Sequence, residues 1–144
     1  MMAAESVQAG YPLSRLLQDL DVAGELPSID VCGLSSDSSE VRPGDLFLAG
    51  SGGRSHGLMH AGEAVDQGAI AVAWEPVEGR DDLAAMAASL PVPVVAVSDL
   101  RQVSGMIADR FFEHPSRSLF TIGITGTDGK TSCSHFIAQA LSLI

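Results

Sequence analysis

Gly126-Thr127-Asp128-Gly129-Lys130-Thr131-Ser132 is the segment of this sequence best equipped for chemistry. Binding phosphate requires several N–H donors converging on one point, and glycine allows this because no Cβ stands in the way. A helix beginning at Lys130 adds the partial positive charge of its N-terminus. Lys130 has the length to reach β- and γ-phosphates, and the Thr131 hydroxyl is a ligand type for Mg²⁺. The commonest spacing places a glycine five residues before Gly-Lys, where this chain has Ile124, so the match is to the shorter form Gly-x-x-Gly-Lys-Thr. The bland alternative is a capped strand-to-helix turn with an incidental lysine.

A second glycine-rich stretch, Gly50-Ser-Gly-Gly-Arg-Ser-His-Gly57, holds four glycines in eight positions and cannot sustain regular structure. Arg54 is its one cation and either contacts a diphosphate or is simply solvated. His56 reads as a solvated loop histidine. His60, His114 and His135 have no metal-ligand spacing with a cysteine or carboxylate. Cys133 falls in the first turn of the last helix, where a thiolate is favoured, but no partner for nucleophilic chemistry accompanies it. Met86, Met106 and Trp74 read as core residues.

The elements that must hold these residues alternate between helix and strand. Leu13, Leu16, Leu17 and Leu20 recur at helical spacing behind Pro12, predicting a helix over 11–20. Strands are expected at 29–34 and 45–49, with a Ser/Asp turn over 35–39 and a Pro43-Gly44 turn between them. A helix over 58–67 should close at Gly68, and the apolar run 69–74 suits a strand buried on both faces. The pattern continues with a helix over 81–90, a strand over 91–97, and a helix over 99–113 capped by Ser98. It ends with a β-rich run over 119–125 and a helix from Lys130 onward. This is an α/β pattern with a mostly parallel sheet. Residues 1–10 read as a flexible tail, 11–114 as an α/β domain, 115–118 as a linker and 119–144 as the opening of a second domain. A single strand–loop–helix cannot bury its strand's two faces, and the last helix stops on apolar residues without a stop signal. The chain is therefore expected to be a fragment, truncated inside that second domain.

Charge narrows the partners. The 144 residues carry 18 acidic and 8 basic side chains, a net charge of -10. That leaves no basic footprint for nucleic acid or anionic lipid. No stretch approaches the roughly 18 apolar residues of a membrane span. The polar N-terminus lacks a secretion signal, and the two distant cysteines suit a reducing compartment, so a cytoplasmic protein is expected. Lys130 is the only lysine. A chain with no general affinity for phosphate thus has one local site for it.

Gly123-Ile-Thr-Gly-Thr-Asp-Gly-Lys-Thr131 resembles the ATP loop of the Mur ligases, Gly-[Ile/Val]-Thr-Gly-Thr-Asn-Gly-Lys-Thr. Asp37-Ser38 followed by Val41-Arg-Pro-Gly-Asp-Leu-Phe-Leu-Ala49 resembles that family's Asp-Ser-Arg…Pro-Gly-Asp-Leu-Phe-Val-Ala. The Ala64–Ala73 stretch, Pro93–Val97, Leu100-Arg101 and His114-Pro115-Ser116 match in order and spacing. The likeness covers residues 12 to 144 and is nearest the MurE type, the UDP-N-acetylmuramoyl-tripeptide synthetases.

The resemblance implies an α/β N-terminal domain followed by the first strand, phosphate loop and helix of a central ATPase domain. It implies an enzyme that activates the carboxylate of UDP-MurNAc-L-Ala-D-Glu with ATP, after which a diamino acid's amine attacks the acyl phosphate. Carried over by position, Gly126, Thr127, Asp128, Gly129, Lys130, Thr131 and Ser132 would bind ATP. Lys130 would be the catalytic residue on the distal phosphates, and Thr131 would ligate Mg²⁺. Ser36, Ser38, Gly53, Arg54 and Ser55 would hold the UDP-MurNAc-dipeptide. Departures from the pattern are Asp128 for asparagine, Ser39 for arginine, and His56-Gly57 for Asp-Gly. The resemblance also implies that the remainder of the ligase chain is needed for activity, and a monomer is expected. The competing readings are a non-catalytic sugar-nucleotide-binding module and an unrelated phosphate-loop ATPase.

Overall fold

The computed structural model describes residues 10–53 and 55–143. The chain divides into two compact units, Met1–His114 and Pro115–Ile144.

The first unit is built on a five-stranded sheet. Its strands are β2 (Val22–Ala23), β4 (Gly33–Ser35), β5 (Asp45–Ala49), β6 (Ala71–Trp74) and β7 (Val94–Val97), in the order β2-β7-β6-β5-β4. All pairings are parallel except β2 with β7. A separate two-stranded ribbon joins β1 (Tyr11–Pro12) to β3 (Asp30–Val31).

Side chains alternate across the sheet, as a pleated strand requires. Leu46, Leu48, Ala71, Ala73, Val95 and Val97 face α1 (Leu13–Leu16) and α4 (Leu100–Phe111), with Ile107 and Phe111 among the buried partners. Phe47, Ala49, Val72 and Trp74 face the other way, toward α2 (Ala61–Gln67) and α3 (Asp81–Ser89). The sheet is thus covered on both faces, which explains the unbroken apolar runs in β5 and β6. Gly68 ends α2 at φ 115°, and a Cβ there would meet the Pro43 Cα at 2.8 Å, so this position tolerates only glycine.

Four local expectations are revised. The helix expected over 11–20 shortens to α1, because Tyr11 and Pro12 pair with Val31 and Asp30. Leu17 stays buried beyond its end, and Arg110 reaches from α4 to donate to the Leu16 carbonyl at 2.9 Å. The strand expected over 29–34 splits at Cys32, whose N–H donates to the Gly44 carbonyl at 2.8 Å. The two halves serve different sheets. Ser98 does not cap α4: its hydroxyl donates to Asp21 at 2.7 Å, and Asp99, at φ 51°, is the cap residue. Met86 and Met106 are exposed, because Leu83 and Ala87 in α3 and Leu100, Ile107 and Phe111 in α4 take the inward positions.

The second unit holds one turn of 3-10 helix over Pro115–Arg117 and α5 (Lys130–Leu141). The run 119–125 forms no strand among the described residues. A strand exists only by pairing, and β-forming composition without a partner strand leaves an extended segment. No described residue of this unit is buried.

Candidate functional site

The parallel strands present their carboxyl ends on one side, where ligands of open α/β sheets bind. There β4 is followed by Ser36, β5 opens into the glycine loop, and β7 leads into α4. A cleft of about 360 Å³ lies among them, lined by Ser36, Leu48, the Gly50–Gly53 backbone, Arg101 and Ser104. A smaller cleft of about 250 Å³ shares Ser36 and Gly57 and adds Asp37, Ser38, Phe47 and His60.

The serine segment is fixed by its own polar groups. The Asp37 carboxylate accepts the Ser39 N–H at 2.9 Å and the Ser39 hydroxyl at 2.7 Å, closing the turn. Those two bonds, the hydroxyl first, hold the Asp37 carboxyl below the usual carboxylate range. Ser39, which replaces the family's arginine, therefore serves the turn. Ser38 is buried and donates its hydroxyl to Glu63 in α2 at 2.5 Å, whereas Ser36 is exposed in the cleft.

The glycine loop is clamped. His56 is buried, in contrast to the solvated position expected for it. Its Nδ1 accepts the Leu58 N–H at 3.1 Å, and its Nε2 lies 2.8 Å from the Glu75 carbonyl oxygen. Those partners assign the proton to Nε2. The ring meets Trp74 edge-on at 6.4 Å. The Glu75 carboxylate accepts the Ser51 N–H at 2.7 Å, and the Gly57 N–H donates to the Gly50 carbonyl at 2.9 Å. His56 thus supplies the capping acceptor for the short helix that begins at Gly57. A Cβ on Gly57 would sit 2.8 Å from the Ala49 Cα, which explains the glycine beside it.

Of the residues expected to hold the sugar nucleotide, Ser36 and Gly53 meet in the larger cleft, and Ser36 and Ser38 in the smaller. Ser55 lies 3.3 Å from His60 through its hydroxyl. Arg54 lies outside the described residues. Arg101 and Ser104 were not anticipated as cleft residues. The signal was available in principle, because Arg101 follows shortly after the carboxyl end of β7.

In the second unit Gly126 (φ 150°) and Gly129 (φ 76°) adopt backbone conformations that suit glycine, and Gly129 caps α5. The Lys130 ammonium donates to the Gly126 carbonyl at 2.6 Å and to that of Thr127 at 3.3 Å, so it lies over the loop. Thr127, Asp128, Thr131 and Ser132 are exposed, and solvent screens the Asp128 charge.

The fold defines an α/β protein with a cleft at the carboxyl ends of its parallel strands and, in a separate unit, a glycine loop that opens a helix. The family model for the Mur ligase family, catalytic domain, matches residues 30–112, and the chain belongs to that family. It is 43% identical over 134 residues to the UDP-N-acetylmuramoyl-L-alanyl-D-glutamate--2,6-diaminopimelate ligase of Xanthomonas campestris pv. campestris, covering 92% of this chain and 25% of that one. It is 49% identical over 111 residues to the ligase of the same name from Pseudomonas aeruginosa, covering 77% and 22%. The chain thus spans about a quarter of the length of these curated relatives. Among solved structures, the UDP-N-acetylmuramoylalanyl-D-glutamyl-2,6-diaminopimelate--D-alanyl-D-alanyl ligase from Acinetobacter baumannii shares the fold. Its TM-score is 0.63 at 18% identity, over 98% of this chain and 30% of that one. The family match across the first unit removes the reading of an unrelated phosphate-loop ATPase.

Proposed function

We propose that this chain is the N-terminal part of an ATP-dependent amide ligase of the MurE type, which joins a diamino acid to UDP-MurNAc-L-Ala-D-Glu in peptidoglycan synthesis. The observation that carries the reading is the cleft at the carboxyl ends of β4 and β5, where Ser36 meets the Gly50–Gly53 backbone. The identity to named diaminopimelate ligases over 92% of the chain supports it.

In this reading, residues 11–114 form the domain that holds the UDP end of the substrate, through Ser36, Ser38, Gly53 and Ser55, with Arg54 as a further contact. Residues 115–118 are the linker and 119–144 open the ATP-binding domain. Gly126 to Ser132 would cradle ATP, with Lys130 on its distal phosphates and Thr131 as the ligand of Mg²⁺. The residues present fit that role: two glycines with positive φ, an ammonium over the loop, and an exposed threonine in the first turn of a 12-residue helix. The ion would neutralise phosphate charge during acyl-phosphate formation. The rest of the ligase would cover the apolar side chains of α5 and complete the site, in a monomeric, cytoplasmic enzyme.

Calorimetry on the 144-residue chain tests the reading. UDP-MurNAc-L-Ala-D-Glu should bind, and no ligation product should form from it with ATP, Mg²⁺ and a diamino acid. Failure of the sugar nucleotide to bind, or binding of ATP alone, would overturn the assignment.

A further inference from the structure

We propose that Arg101 is a cation of the nucleotide cleft, engaging the diphosphate of the ligand and so setting preference for a nucleoside diphosphate over the bare nucleoside. The inference rests on the sugar-nucleotide reading of that cleft and adds to it a residue from a different element.

Arg101 stands in the first turn of α4 and is exposed. A Cβ on Gly50 would lie 3.9 Å from the Arg101 Cβ, so the arginine's stem rests against the first residue of the glycine loop. Among the described residues that line the larger cleft, Arg101 is the only charged one, and the others are serines, glycines and leucines. Leu48 and Leu100 line the cleft but are buried in the core. Ser36, Ser104 and the loop backbone supply neutral hydrogen-bonding groups. None of these can offset the charge of a diphosphate.

The guanidinium is also uncommitted. The described ion pairs are Arg80 with Asp82 and His114 with Asp109, and Arg110 is occupied by the carbonyls of Leu16 and Gln18. No hydrogen bond holds the Arg101 side chain among the described residues. In a chain with 18 acidic and 8 basic side chains, an arginine at a cleft mouth without a carboxylate partner is available to an anion. Its planar fork suits paired phosphate oxygens. The neighbouring carboxylate, Asp99 at the N-cap of α4, already accepts from Gln102 at 3.3 Å.

The test is a titration of the 144-residue chain and its Arg101→Gln and Arg101→Lys variants with UDP and with uridine. Thermal unfolding of each variant confirms that the fold is kept, as an exposed position allows. Arg101→Gln should weaken UDP binding roughly tenfold or more and leave uridine binding unchanged. Arg101→Lys should recover part of the loss, because it keeps the charge but not the fork. Raising the salt concentration should weaken UDP binding to the unaltered chain more than to Arg101→Gln. An unchanged ratio of UDP to uridine affinity in Arg101→Gln, with the unaltered chain binding UDP, would overturn the role of Arg101 alone. Failure of the unaltered chain to bind UDP would overturn the sugar-nucleotide reading and this inference with it.

Discussion

The two glycine loops of this chain stand on opposite kinds of support. The loop over 50–57 emerges from β5, whose five residues are all buried, and is tied down by His56 and Glu75. The phosphate loop over 126–129 is set by two glycines and the start of α5, in a unit without a buried residue among those described. Phe120 is 91% exposed and Phe136 66% exposed. Loop geometry can therefore be written locally, by glycine and a helix start, while rigidity must come from a packed core. One helix and an extended segment cannot enclose such a core. In the proposed ligase, the first unit is a self-sufficient binding domain and the second is a catalytic loop that depends on its neighbours.

The sharpest way to break the comparison is to truncate one aromatic in each unit. Phe47→Ala removes a fully buried ring between the sheet and its α2–α3 layer and should cost about 3–5 kcal/mol. Phe136→Ala on α5 should change stability by less than about 0.5 kcal/mol. Urea unfolding followed by far-ultraviolet circular dichroism, which reports the helices of both units, reads both. Equal costs would dissolve the distinction between the units.

A smaller effect sharpens what clamps the first loop. His56→Ala leaves the Leu58 N–H and the Glu75 carbonyl without their partners and should cost roughly 1–3 kcal/mol. His56→Asn keeps an acceptor at the cap and should cost less. Thermal unfolding of both variants decides, and a His56→Ala protein as stable as the parent would remove the clamp from the account.

Much of this fold was legible because neighbouring residues encode it. The apolar runs of β5 and β6, the Gly68 stop and the Asp37 turn depend on contacts within a few positions or on burial on both faces. The misreadings share a different cause, namely partners far away in sequence. Cys32 breaks its strand for the Gly44 carbonyl, 12 residues on. His56 is buried by Glu75, 19 residues on, and by Trp74. The run 119–125 has β-forming residues but no described strand to pair with. The same contrast applies to the candidate site. Ser36 and the glycine loop belong to motifs and could be read, while Arg101 reaches the cleft from 44 residues beyond Gly57. Glycine patterns announce a binding loop but not the side chain that arrives opposite it.

In the proposed ligase the first unit binds the sugar nucleotide by itself. Amide hydrogen exchange of the 144-residue chain, with and without UDP-MurNAc-L-Ala-D-Glu, tests it most directly. Added protection is expected at Ser36, over the loop from Gly50 to Gly57 and at the start of α4, with none over 126–141. Protection confined to the phosphate loop, or no change in the first unit at saturating ligand, would contradict it.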